Sequence, residues 1–165
     1  MNWEAVGAIG ELISALVVAI TLAYFAIQLR ASREAASDAN RLERAKGVRE
    51  MFLATSINSE LRQTVTKGLK LGTYYDELGQ DLEMSADEAA SFDWAMLYWF
   101  WLHWGQFASE TRDKDVEELK NIIGALYTNP AVRNCWENSP WGKQALEPDF
   151  VSFVDEILNA NDVDS

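Results

Sequence analysis

From Ala5 to Leu29 the chain is almost unbroken in apolar residues, and Arg30 and Arg33 follow at once. Set on a helix at about 100° per residue, Gly7, Gly10, Glu11, Ser14, Thr21 and Gln28 share one arc of roughly 100°. Ala5, Ala8, Ala15, Ala19, Ala23 and Ala26 form a second arc, and Ile9, Ile13, Leu16, Val17, Ile20 and Ile27 mostly fill the third. A polar strip, a small strip and a bulky aliphatic strip suit a helix with lipid on one side and copies of itself on the others. At about 1.5 Å of rise per residue the run covers about 37 Å, against a hydrocarbon core of about 30 Å. A cleaved signal peptide fits poorly, because Met1-Asn2-Trp3-Glu4 is acidic where a positive segment is needed and the apolar stretch is too long. The buried core helix of a soluble protein fits poorly too, since Glu11 interrupts it. The pattern predicts a transmembrane helix over residues 1–30.

Beyond Arg30 the period of the pattern stays helical. Residues 31–57 are strong helix formers with a weak seam of Ala35, Ala39, Leu42, Ala45 or Lys46, and Phe52, which predicts a helical stalk. Asn58 or Ser59 caps a second helix ending near Gly72. Thr73 to Met84 reads as a loop, or a short helix broken by Gly79. Ser85 with Asp87 and Glu88 opens a helix running to about Ala108. That helix carries Phe92, Trp94, Tyr98, Trp99, Phe100, Trp101 and Trp104 on all its sides, so it needs burial on most of them. Asp113 and Asp115 start a helix through Tyr127. Pro130, after Asn129, begins a short one that Pro140 ends, and Pro148 opens the last. No alternation of period two holds outside these runs. The expected fold is all-α: one N-terminal transmembrane helix (1–30) continuing into a stalk (31–57), a compact cytosolic helical bundle (58–160) and a disordered tail (161–165).

Charge sharpens the topology. The net charge is −12, yet residues 30–70 hold nine Lys and Arg against five Asp and Glu, while residues 71–165 hold five against nineteen. Basic residues follow the span and none precede it, which places the N-terminus outside and the remainder in the cytoplasm of a bacterial inner membrane. The membrane-proximal basic residues, Arg30 and Arg33 foremost, suit anionic lipid. No nucleic-acid partner is expected, because aromatics do not interleave with the basic stretch and the acidic remainder repels phosphates. Cys135 is the only cysteine, so no internal disulfide forms and a reducing compartment fits.

Gly7-Ala8-Ile9-Gly10-Glu11, Ile20-Thr21-Leu22-Ala23-Tyr24 and Gln28-Leu29-Arg30, with Asn129-Pro130, Arg133, Trp136, Pro148, Phe150, Phe153 and Val154 near the other end, resemble a group of small bacterial single-span proteins of unknown function. The likeness covers both ends of the chain and leaves its middle unmatched. A more distant resemblance is to the membrane accessory protein of type VI CRISPR systems, which implies one span, a helical cytosolic domain and a ring-like pore. Relatives of that domain cleave RNA with an Arg-(four to six residues)-His motif. Here the only histidine, His103, is preceded at four to seven positions by Trp99, Tyr98, Leu97 and Met96, so that chemistry is not expected.

Candidate chemistry is sparse. Cys135 and His103 stand far apart with no orienting acid, and no zinc spacing or phosphate-binding glycine loop occurs. No catalytic residue, metal or cofactor is expected, and the chain does not read as an enzyme. His103, between tryptophans, reads as a packing histidine before a pH sensor. Glu11 is the sharpest residue, since an ionisable group inside a span usually faces protein or water. The alternative is simple solvation at the outer interface. Repeated by rotation, Glu11 forms an acidic ring favouring cations, with Gly7, Gly10, Ser14, Thr21 and Gln28 lining a pore or gluing helices. The aromatic block reads first as core of the bundle, with Trp94, Tyr98 and Trp101 as candidates for a subunit interface. The expected function is a homo-oligomeric single-pass membrane protein forming a pore or channel. The alternative is a membrane-anchored scaffold whose acidic, aromatic-rich bundle recruits a cytosolic protein partner.

Overall fold

A computed structural model describes residues 3–109 and 113–163 of the chain. The described residues are all-α, with seven α-helices, one 3₁₀ turn and no strand. The chain divides into two units, Met1–Glu43 and Arg44–Ser165.

In the first unit the only element is helix α1, which spans Trp3–Ile57. From Ile9 to Asn40 every residue whose surroundings are described is exposed. Even Leu16, Ile20 and Ile27 keep 60–70% of their surface, which rules out a helix buried in this chain's own core. It is the one helix among the described residues long and apolar enough to cross a membrane.

The second unit starts at Arg44, inside α1, so the last turns of that helix belong to the bundle. The sequence placed the bundle's start near residue 58. Burial explains the difference: Ala45, Phe52, Thr55 and Ser56 are all enclosed. Helix α2 (Ser59–Gly68) follows, with Asn58 accepting the Leu61 amide as its N-cap. Helix α3 (Gly72–Leu82) runs unbroken through Gly79, where a break was expected. The glycine is needed for proximity instead: a Cβ there would sit 2.7 Å from the Met84 carbonyl oxygen. Met84 N donates to Gly79 O and Glu83 N to Gln80 O, with Glu83 left-handed at φ 56°, the pairing of a Schellman cap.

Helix α4 (Ala86–Ser109) is opened by a reciprocal capping box. Ser85 N donates to the Glu88 carboxylate at 2.9 Å, and Glu88 N donates back to Ser85 Oγ. The helix is central, packing on α2, α3, α5 (Asp113–Tyr127) and α6 (Pro130–Asn138). Asn129 caps α6 through the amides of Ala131 and Val132. A 3₁₀ turn (Lys143–Ala145) leads to α7 (Pro148–Val163), which pairs with α5. The helix therefore extends into the segment expected to be a tail. The core is aromatic. Phe100 meets Tyr127 and Trp136 with ring centres 5.1 and 5.2 Å apart, and Phe52 of α1 meets Trp94 at 5.6 Å.

Candidate functional site

On α1 the polar strip is exposed at Gly10, Glu11, Ser14, Thr21 and Gln28. The surroundings of Gly7 lie outside the described residues. The hydroxyls on the strip are satisfied within the helix: Ser14 Oγ donates to Gly10 O and Thr21 Oγ1 to Val17 O, both at 2.8 Å. Gln28 Nε2 donates to the Tyr24 hydroxyl at 2.7 Å. Each bond spans four residues, so these side chains need no tertiary acceptor. Glu11 differs. Its carboxylate has no hydrogen-bond or ion-pair partner among the described residues. Just past the apolar run, Arg30 pairs with Glu34 one turn on at 3.0 Å, both side chains largely exposed, and Arg33 is exposed, with no such partner among the described residues.

The three bundle aromatics proposed for an interface are placed differently from one another. Trp94 is 2% exposed and packed inside its own chain, leaving it no surface to offer a neighbour. Tyr98 and Trp101 are half-buried, and Trp101 Nε1 donates to the Trp141 carbonyl. Among the described aromatics of the bundle, the one that reaches solvent most is Trp99, at 42%. Spacing alone did not separate it from Trp94, because α4 carries aromatics all round.

Sequence reading missed two polar centres, one around the enclosed Asp93 and one around the enclosed Arg62. Asp93, 1% exposed, receives the hydroxyls of Ser139 at 3.1 Å and of Tyr74 and Tyr75 at 3.3 Å. It thereby ties α3, α4 and the end of α6 to one carboxylate. Burial pushes its pKa up to about 6, partly offset by those bonds and one from Cys135. Burial, reinforced by the Asp93 charge, pushes the enclosed Cys135 thiol well above its usual range. In the second centre, Arg62 donates to both Asp87 oxygens, at 2.5 and 3.1 Å, and to the Thr55 and Ser56 carbonyls that end α1. The guanidinium holds the Asp87 carboxyl below its ordinary value. Ser56 and Ser91 donate reciprocally to each other's carbonyls, adding a further link between α1 and α4.

His103 is enclosed beside the Tyr127 hydroxyl, 3.2 Å from Nδ1, and burial lowers its pKa to about 4. At neutral pH it is an uncharged packing group. Among the described residues no cluster of His, Cys, Asp and Glu is arranged to hold a metal ion.

Compared with protein-family models, curated proteins and solved structures, the chain matches none of them.

Proposed function

We propose that this chain is a single-span protein of a bacterial inner membrane that assembles with copies of itself along the Gly7, Gly10, Glu11, Ser14, Thr21 and Gln28 strip. The N-terminus faces outward and the bundle lies in the cytoplasm, as the basic residues after the span favour. One observation carries the reading. Glu11 is an exposed carboxylate without a partner among the described residues, on a helix whose large aliphatic residues from Ile9 to Leu29 are exposed wherever they are described. A charged carboxylate facing acyl chains costs about 2.5–3.5 kcal/mol at the helix centre on insertion scales, and less at the depth of Glu11, six residues into the run from Ala5. Rotational assembly turns that carboxylate toward an axis and water. In its stronger form the reading makes Glu11 the acidic ring of a cation-conducting pore.

A second reading has its own support. Because Ser14, Thr21 and Gln28 are satisfied within their own helix, the span is competent as a plain anchor for a bundle that recruits a protein partner.

The mass of the detergent-solubilised particle separates the two. A discrete multiple of the 18.6 kDa chain is expected, and a monomer leaves only the anchor. For the pore, Glu11→Gln is expected to reduce cation flux in liposomes severalfold, and equal, zero flux from both proteins would eliminate it.

A further inference from the structure

Helix α3 is poorly secured by its own sequence. It has 11 residues, too few to persist alone in water. Leu71 at its N-cap makes no side-chain cap, and neither an acidic residue in its first turn nor a basic one in its last supports it. The two non-glycine residues with positive φ among the described residues flank it, Lys70 at 58° and Glu83 at 56°. Residues with a side chain enter that region at a cost. A short helix between two such joints stays in place through what it packs on and bonds to.

Those holds converge on α4. Tyr75 and Leu78 are enclosed in the core, and the Tyr74 and Tyr75 hydroxyls both donate to Asp93, with Ser139 as the third hydroxyl. Asp93 is almost fully enclosed, and the titratable groups acting on it are Tyr74 and Tyr75 of α3 and Cys135 of α6. The other helices packed on α4 add none, and Asp76, Glu77 and Asp81 of α3 are exposed. No lysine, arginine or histidine is among the groups that act on the carboxylate. A carboxylate shut away from water among neutral donors holds its proton to a higher pH than one in solvent. Lifting α3 replaces two of its three hydroxyl donors with water, so the ionised carboxylate favours release.

We propose that α3 is a pH-sensitive strap over α4, fastened by a proton on Asp93 and loosened by its loss. Falling pH closes the bundle at this point. Rising pH frees the segment between Lys70 and Glu83 while the rest of the core stays formed. The strap works whether or not the span assembles.

The test is hydrogen–deuterium exchange of the full-length, detergent-solubilised protein, each rate corrected for the intrinsic pH dependence of amide exchange. Asp93 titrates at about 6 with α3 in place and returns toward its ordinary 3.8 on release. Protection of the α3 amides should therefore fall about tenfold from pH 5 to pH 7. Amides of α5 should not share the fall. His103, lodged against Tyr127 of α5, gains its uncharged form over the same interval and pulls global unfolding the other way. In Asp93→Asn, α3 protection should be level between the two pH values. Tyr74→Phe, at a half-buried ring, removes one donor and keeps the packing. It should steepen the fall, because the carboxylate then holds its proton to a higher pH still. This second variant carries the test if Asp93→Asn does not fold. Level α3 protection in the parent, the same fall in Asp93→Asn, no steepening in Tyr74→Phe, or an equal fall in α5 would overturn the proposal.

Discussion

Two segments of this chain are long, apolar and helical, and they meet opposite fates. From Ile9 to Leu29 in α1 every residue whose surroundings are described is exposed, while α4 is enclosed along most of its length. Overall apolarity does not distinguish them. What differs is where their polar atoms find partners. On the α1 run Ser14, Thr21 and Gln28 bond one turn away on the same helix. On α4 Asp93, Trp101, His103 and Trp104 reach other elements, from Tyr74 and Tyr75 to Tyr127, Trp141 and Glu147. Trp94 Nε1 and Gln106 Oε1, also on α4, are enclosed without such a partner. Glu11 aside, the run meets its own side-chain hydrogen bonds, which suits a solvent that offers none, whereas α4 relies on partners from the rest of its fold.

The sharpest way to break this contrast is matched truncation. Phe100→Ala, at a fully enclosed position, should cost about 3–5 kcal/mol in denaturant unfolding of the bundle. Leu16→Ala should leave the same transition within about 0.5 kcal/mol, as for surface sites. Comparable losses would mean the run is not free of the core.

Acid titration probes the α4 side. Asp93 is held up at about 6 against an ordinary 3.8, so the folded chain binds its proton more tightly and gains stability as pH falls from 6 through 3.8. His103 is held down at about 4 against 6.5. Its contribution is whole above 6.5 and is lost as pH falls toward 4. At about 1.4 kcal/mol per pKa unit, each window carries about 3 kcal/mol, and the two oppose one another between pH 4 and 6. Asp93→Asn should therefore melt progressively lower than the parent as pH drops from 6 to 4. His103→Gln should gain stability over the same interval. Parallel pH profiles for parent and both variants would refute the assignment.

The smallest effect lies at the α3 terminus. Glu83 occupies a left-handed position that glycine adopts without penalty. Glu83→Gly should raise bundle stability by about 0.5–1 kcal/mol in thermal melts, and destabilisation would show that the side chain makes a compensating contact.

The elements were largely legible because their signals are local. Asn58, Ser85 and Asn129 cap where short polar residues precede helical runs, and Pro130 and Pro148 open helices at positions that lack a donor requirement. Gly79 was misleading for the same reason: read locally it weakens a helix, whereas its role is to admit a carbonyl from five residues on. The polar centres were illegible because their members are remote. Asp93 is gathered with partners 18, 19 and 46 positions away, and Arg62 with one 25 away, which no periodicity encodes. Nor did the pattern separate Trp94 from Trp99. Helical phase shows that both cannot share a face, but only the placement of Phe52 decides which is covered.

The enclosure of Cys135 has a practical corollary. Alkylating and spin-labelling reagents attack the thiolate, and this sulfur is both sealed off and reluctant to ionise. A cysteine introduced at any exposed position of the native protein will be the sole reactive handle against a silent background. The subunit, water and lipid contacts proposed for α1 can then be tested residue by residue without first removing anything nature supplied.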